Sequence, residues 1–410
     1  MRFIKFAFLL FVSIIVFPAC HQTRADYTNN KPITTDSSVN KTDTVVTPPK
    51  DTTTTPITPP PPPVTYDSKT MVFEVVFESV PTSATATIAT LKYNKQGWAS
   101  VEWDDNSISS LTGFEKLKNT FYTDGCGNNI PYTGAVAVNG RNQYNNEEAG
   151  LLSMNVTYNQ MTDLINCGWD IENHSYYHEP TGNYNYGNDR NRNVKELEDL
   201  IFARINYKMN GLVVPTNYDG FPTAAKNFGY LFSTSQGTFD GLPPAGNPVY
   251  KDVQDFALAP VDFSSFNRMF YDNWNEMETA AKKAIDVIIT KNNHYFRLAS
   301  HGIDAAAFSR IIDYFKQKTN DKILMVPTRE VMEYRQMAKM PVILELKDGK
   351  LTIQVKIHTL ADRIRWRDLS FMINSDKKIK SVTALNAIDS VTFNSNTGLI
   401  NVFKQVHIWQ

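Results

Sequence analysis

Between residues 98 and 326 the chain repeatedly places a short apolar strand pattern after a helical one, and three times an acid or a histidine closes the strand. Residues 98–103 read as a strand running into Asp104-Asp105-Asn106. Residues 158–167 read as a helix stopped by Gly168, and 169–173 as a strand that delivers His174. The unit recurs as a helix over 274–290, a strand over 295–299 and then His301. A further helix over 305–318 and a strand over 323–326 follow. Strands that alternate with helices predict an α/β fold with a mostly parallel sheet, whose ligand sites lie at the C-terminal strand ends. All three motifs arrive at that edge.

The flanks are different in kind. Arg2 and Lys5 precede an apolar run from Phe6 to Phe17, with Ala19 and Cys20 after it, which predicts a secretory signal peptide over 1–20. The run is short for a bilayer span and Pro18 would end a helix there. Phe17-Pro18-Ala19-Cys20 is similar to a bacterial lipobox with Phe in place of the usual Leu, so Cys20 is the expected lipidation site of an exported, membrane-anchored lipoprotein. Residues 21–66 are Thr- and Pro-rich, end in the run Pro59 to Pro63, and predict a disordered, extended spacer. A catalytic domain is expected over 67–338, beginning with a strand at 71–80. After Met340, apolar runs at 342–346, 350–357, 381–385 and 399–403, broken by turn residues, predict a small all-β, sandwich-like domain over 339–410. His358 and His407 are isolated there and read as structural.

Lys plus Arg number 41 and Asp plus Glu 42, a balance that gives no reason to expect a nucleic-acid partner. Beyond Cys20 only Cys126 and Cys167 remain, and export makes a disulfide between them chemically feasible while leaving a buried thiol at Cys167 equally open.

His174 and His178 are four apart, which on one helical turn points both imidazoles at one metal. Asp105 can add a carboxylate from another strand end, completing a three-ligand N,N,O set with positions left for water and substrate. Asp104, its side chain directed differently along an extended backbone, is then free to act as a base. The competing reading makes Asp104-Asp105-Asn106 a turn cap. Zinc is the first expectation for such a set, with cobalt or nickel compatible.

With these motifs in order, residues 70 to 335 resemble the polysaccharide deacetylases of carbohydrate esterase family four. Trp103-Asp104-Asp105 is similar to the family's Thr-Phe-Asp-Asp, His174-Ser175 through His178 matches its histidine motif, and Ala299-Ser300-His301-Gly302 is similar to its closing Leu-x-His-Asp. The resemblance implies a distorted (β/α) barrel, with Asp105, His174 and His178 holding a divalent metal, Asp104 as general base and His301 as general acid. It implies hydrolysis of acetyl groups from an N-acetylated, or O-acetylated, polysaccharide at the cell envelope. No Gly-x-Ser-x-Gly elbow is present, in keeping with a route lacking a covalent intermediate.

Two departures bear on that expectation. The family's Arg-x-Pro-Tyr falls on Val213-Val214-Pro215-Thr216, so the arginine that orients the base is missing, with Arg297 as a candidate substitute. His301 is followed by Gly302, so the carboxylate that tunes the acid must come from elsewhere, from Asp304 or Asp272. Tyr271-Asp272-Asn273-Trp274 is similar to the family's Asp/Trp motif, and Tyr218 either lines the site or sits on a surface loop. Asp272, Trp274, Tyr218 and Arg297 are thus the candidate substrate contacts. Polar, aromatic loops at 123–146 and 180–193, with Tyr176, Tyr177, Tyr184 and Tyr186, suit sugar rings. Two other readings stay open: a glycan-binding lipoprotein that lost turnover with its arginine, and a chain whose C-terminal domain is the functional part.

Overall fold

The computed structural model describes residues 65–142, 144–178, 189–242, 253–256 and 259–406. The leader, Cys20, nearly all of the Thr/Pro tract, Tyr184, Tyr186 and His407 lie outside the described residues.

The central strand, Gly97–Trp103, is buried along its whole length, as a parallel strand covered on both faces must be. On one side it pairs in parallel with His294–Ser300, and on the other with Ile323–Met325 at its start and Ala135–Val138 at its end. Parallel pairing then runs outward through Asp170–Asn173, Gly211–Val213, Phe232–Ser235 and Ser264–Asn267. One residue beyond, Met269–Phe270 pairs in parallel with Leu298 and Ala299 of His294–Ser300, whose start is flanked by the short antiparallel strand Gln254–Asp255. Residues 264–270 therefore link the two ends of this run of strands, and the circuit of pairing closes into a distorted (β/α) barrel.

The helices that cover the barrel carry their own start and stop signals. Thr157 and Gln160 form a reciprocal capping box at Tyr158–Asn166, and Gly168, at φ +84°, ends that unit. Asn273 caps Trp274–Ile288, and Asp304 caps Ala305–Thr319 through the amides of Ala306 and Ala307. Gly113 is required by packing: a Cβ there would fall 2.3 Å from the Trp103 ring, on which Ser109–Leu117 lies.

The strand expected at 71–80 forms as Thr70–Phe77 but does not enter the barrel. It pairs antiparallel with Lys350–Lys356 and Ile379–Asn386, in a sheet whose outer strand is Val342–Lys347. Ala84–Ile88 likewise joins Leu369–Ser375, Leu399–Phe403 and Ser390–Asn394 in a second sheet. The β-sandwich is thus built from both ends of the described chain, and a boundary at 338/339 cuts through it. The physical reason lies in the core between the sheets, where Met71, Phe73 and Val75 meet Leu351, Ile353 and Phe371, with the Phe73 and Phe371 rings 5.3 Å apart. A 3.6-residue helix pattern and its following strand mark the barrel; an alternating strand marks only that it wants a sheet.

Buried ion pairs dock the sandwich on the barrel. Arg365 donates to the Trp169 carbonyl at 2.7 Å, Glu333 accepts from the amides of Arg365 and Trp366, and Arg329 joins Glu333 to Asp170. Lys92 pairs with Glu330 and Asp368. Asp170 opens the strand whose far end carries His174, so this contact sits at the end of the barrel opposite the motif residues. The hairpin Phe121–Thr123/Asn129–Pro131 extends the contact: Asp124 accepts from Thr392 and Asn401 donates to its carbonyl. Cys126 lies in this hairpin and is not joined to Cys167.

A fragment ending at Met340 should leave Thr70–Phe77 and Ala84–Ile88 without partners and open the sandwich core. It is expected to bind a hydrophobic dye and to lack the cooperative melting of the full chain; a soluble, sharply melting 65–340 fragment would show the barrel to stand alone.

Candidate active site

Three strand ends converge. Asp104 and Asp105 follow Gly97–Trp103, His174 follows Asp170–Asn173, and His301 follows His294–Ser300. The Asp104 amide donates to the Ser300 carbonyl, and the His174 amide to that of Val138, which ties the motifs to neighbouring strands.

The backbone separates the two acids by a turn rather than by the extended geometry expected. Asp105 and Asn106 are both left-handed, at φ +59° and +53°, a conformation that Asp and Asn tolerate better than other non-glycine residues. Asn106 holds the turn by donating to the Ala137 carbonyl and accepting from the Asn139 amide. Such strain persists where surrounding bonds over-determine it, and here it turns the Asp105 carboxylate toward the histidines while Asp104 points into the barrel.

His174 and His178 are not on a helical turn. Ser175 is left-handed, at φ +68°, and its hydroxyl donates to the Tyr177 carbonyl, so the two rings meet across a loop with centroids 5.1 Å apart. The spacing of four works because the loop folds back, not because of helical phase. His174 is buried, and its Nδ1 donates to the Val213 carbonyl at 2.8 Å, which turns Nε2 toward Asp105. The position where an arginine was expected thus contributes its backbone instead.

Nε2 of His174 and Nε2 of His178 each lie 3.4 Å from Oδ1 of Asp105, and the three ligand atoms are all within 4.8 Å of one another. Oδ1 of Asp105 and Nε2 of His174 are buried with no hydrogen-bond partner among the described residues. Buried polar atoms left unpaired cost free energy, and a divalent cation among them removes that cost. Burial, and then the charge of His174, push His178 down to about 4, so it offers a neutral imidazole. Burial opposes the charge on Asp105, but the three histidines around it hold its carboxyl below the usual range. One carboxylate, two imidazoles, and a backbone carbonyl orienting the deeper ring fit a metal centre.

Asp104 is held by an arginine that the sequence reading missed. Arg268 grips it through two parallel bonds of 2.7 Å, NH1 to Oδ1 and NH2 to Oδ2, and NH1 also reaches Glu102 at 3.1 Å. Burial works against the Asp104 charge, yet Arg268 and His174 overcome it and keep the carboxyl below its ordinary range. Arg297, the expected substitute, pairs with Glu102 one layer deeper and does not meet Asp104. Its strand brings it to the barrel interior two residues too early. Burial and the adjacent Glu102 push the Glu172 carboxyl well above the carboxylate range, so two guanidiniums balance the carboxylates of Asp104 and Glu102.

His301 reaches the site from the neighbouring strand end, its Nε2 3.6 Å from Oδ2 of Asp105. Asp272 accepts from its ring Nδ1 at 2.9 Å and from its backbone amide at 3.0 Å. Asp272 is therefore the carboxylate partner of His301, while Asp304 is a helix cap. Among the described residues, Trp274 and Tyr218 are not in the lining of the cleft beside Asp105 and His301: the Trp274 ring packs edge-on against Phe308, and the Tyr218 ring lies under Arg190. An open cleft of about 400 Å³ leads from Asp105 and His301 past Asn139, Arg141, Tyr144 and Met154. Of the expected 123–146 loop, only its last third borders this cleft.

No protein-family model matches the chain, and no curated protein matches it. Solved structures do. A family 4 acetyl xylan esterase from Clostridium thermocellum, in complex with a cobalt ion, is similar at 11% identity over 58% of this chain and 91% of that one, with a TM-score of 0.34. The chitin deacetylase of the fungal pathogen Colletotrichum lindemuthianum is similar at 11% identity over 59% and 89%, TM-score 0.34. A CE4 family pseudoenzyme from Bacillus anthracis is similar at 10% identity over 58% and 66%, TM-score 0.34.

Removing Arg268 would strand two buried carboxylates. Arg268→Ala is expected to cost about 3–5 kcal/mol, read from denaturant unfolding, and Arg268→Lys to recover only part, because an ammonium cannot make the bidentate fork. An unchanged unfolding midpoint in Arg268→Ala would contradict this assignment.

Proposed function

We propose that the chain is a metal-dependent hydrolase that removes acetyl groups from an N-acetylated or O-acetylated polysaccharide outside the cytoplasm, tethered to a membrane by lipid at Cys20. The observation that carries the reading is the pair of supported groups flanking the Asp105, His174 and His178 cluster. Asp104, braced by Arg268, has Oδ2 3.9 Å from Nε2 of His174; His301, braced by Asp272, has Nε2 3.6 Å from Oδ2 of Asp105. A supported carboxylate and a supported imidazole beside one ligand set are the groups that general base and general acid catalysis of amide or ester hydrolysis calls for.

Asp105, His174 and His178 would hold the ion, and zinc is the first choice, with cobalt and nickel able to use the same ligands. When bound, a divalent ion supplies Lewis-acid polarisation of the acetyl carbonyl and a lower pKa for the attacking water. The chain's own residues do the rest. Asp104 takes the proton of the attacking water on its carboxylate, which Arg268 keeps anionic and fixed in direction. His301, its Nδ1–H committed to Asp272, presents Nε2 toward the site and protonates the departing amine or alcohol there. The transferred atoms balance as water adding across the acyl bond, with acetate and the free sugar amine or hydroxyl as products.

The reading in which turnover was lost rested on the absent motif arginine. Arg268 bears on that reading, because it makes the same kind of bond to Asp104 from another strand end, and so supports catalysis.

Acetate release from N-acetylglucosamine oligomers and acetylated xylan should appear with zinc, vanish after chelation and return on adding metal. Asp104→Asn is expected to lower it by roughly 100- to 10,000-fold with metal binding retained. Metal uptake without acetate release from either substrate would favour a glycan-binding lipoprotein.

A further inference from the structure

The cleft beside the ligand cluster is polar in composition, yet most of its polar groups are already committed. Asn142 Oδ1 accepts from the amides of Tyr144 and Asn145, and Asn145 bonds Glu147 through both ends of its amide. Asn155 donates to the Ala149 carbonyl, and Asn139 to that of His174. These asparagines build the loop rather than greet a ligand. Among the groups left facing the cleft are Arg141, the rings and chains of Tyr144, Met154 and Ile108, the ligand Asp105 and the acid His301. Tyr144 and Met154 are 87% and 66% exposed, which is unusual for large apolar groups and leaves flat surface for a sugar ring.

Arg141 is the cation of this wall, and it is held in place without being neutralised. Its Nε donates to the Tyr176 hydroxyl at 3.1 Å, its guanidinium lies over the Tyr176 ring, and NH1 makes only a long contact, 3.5 Å, to the Asn146 carbonyl. The acid whose charge acts on it is Glu148, whose two oxygens are taken by Arg204 at 2.8 and 2.9 Å and by the Tyr158 hydroxyl. No carboxylate lies within ion-pair distance of Arg141 among the described residues. With Nε anchored, the NH1/NH2 edge remains, a fork that suits a planar carboxylate.

We propose that the substrate is an acidic glycan, with a carboxylate on a sugar near the acetylated one, and that Arg141 reads that carboxylate. This deepens the deacetylase reading and rests on it for the acetyl group, but the carboxylate contact is a binding property that exists with or without turnover. A neutral acetylated chain would leave the guanidinium desolvated and unpaired in the cleft, so the selection is partly a penalty against the wrong substrate.

The test uses the zinc-loaded full chain and two probes, a tetramer of N-acetylglucosamine and a tetramer alternating N-acetylglucosamine with glucuronic acid, with affinity measured by calorimetry and acetate release measured in parallel. The acidic tetramer is expected to bind at least about tenfold tighter at low salt, with the advantage shrinking as ionic strength rises. Arg141→Gln should bring the ratio of the two affinities close to one, and Arg141→Lys should keep part of it. Equal affinities in the native chain, a ratio untouched by Arg141→Gln, or no binding of either tetramer would each overturn the proposal. An Arg141-dependent preference without acetate release from either probe would instead count against the deacetylase reading and leave the carboxylate contact standing.

Discussion

Everything at the site depends on how the barrel closes. Residues 264–270 pair with Phe232–Ser235 through their first half and with Leu298 and Ala299 through their second, and Arg268 is the residue between the two pairings. A side chain at a seam of this kind has its backbone fixed from both sides, and here it is turned into the interior. There it meets Asp104 and Glu102, both on the central strand or at its end. One guanidinium thus joins the closure of the fold to the charge and direction of the Asp104 carboxylate. Substituting it perturbs both together, since the carboxylates it balances are buried where an unpaired charge is costly.

The remaining supports follow the same plan, with each reactive group held by something contributed from a neighbouring strand. Val213 fixes the His174 ring through its carbonyl, Asn106 and Asn139 fix the left-handed turn at Asp105, and Asp272 fixes His301. Such outer partners decide which nitrogen faces a metal and which carries a proton. The opposite end of the barrel is sealed by the Arg365, Glu333 and Arg329 network, which leaves the motif end free to carry loops.

The parts of this arrangement that were legible in sequence are those where one residue type at one spacing has few other uses. Asp104, Asp105, His174, His178 and His301 sit at strand ends whose helix-then-strand texture is plain, and the structure brings all five together. Arg268 was hidden because it stands between two strands only four and two residues long, Ser264–Asn267 and Met269–Phe270, too short to show any period. Arg297 drew attention by standing on a recognisable strand close to His301, and its position one layer deeper follows from alternation along that strand. The partner of Thr70–Phe77 was illegible for a different reason: its ladder is closed by residues some 280 positions later in the chain, and an alternating strand does not name its neighbour. The signal that could have found Arg268 is a charge set between Phe266 and Met269-Phe270, where it needs a buried partner.

The central claim is that Asp105, His174 and His178 form a metal centre with Asp104 standing beside it as a braced, uncoordinated base. Anomalous diffraction at the zinc edge from crystals grown with zinc tests it most directly. The account predicts one peak bonded to Oδ1 of Asp105 and Nε2 of both histidines at about 2.0–2.2 Å, with the Arg268–Asp104 fork intact. A peak elsewhere, no peak, or a peak that draws Asp104 in as a ligand and frees Arg268 would contradict it.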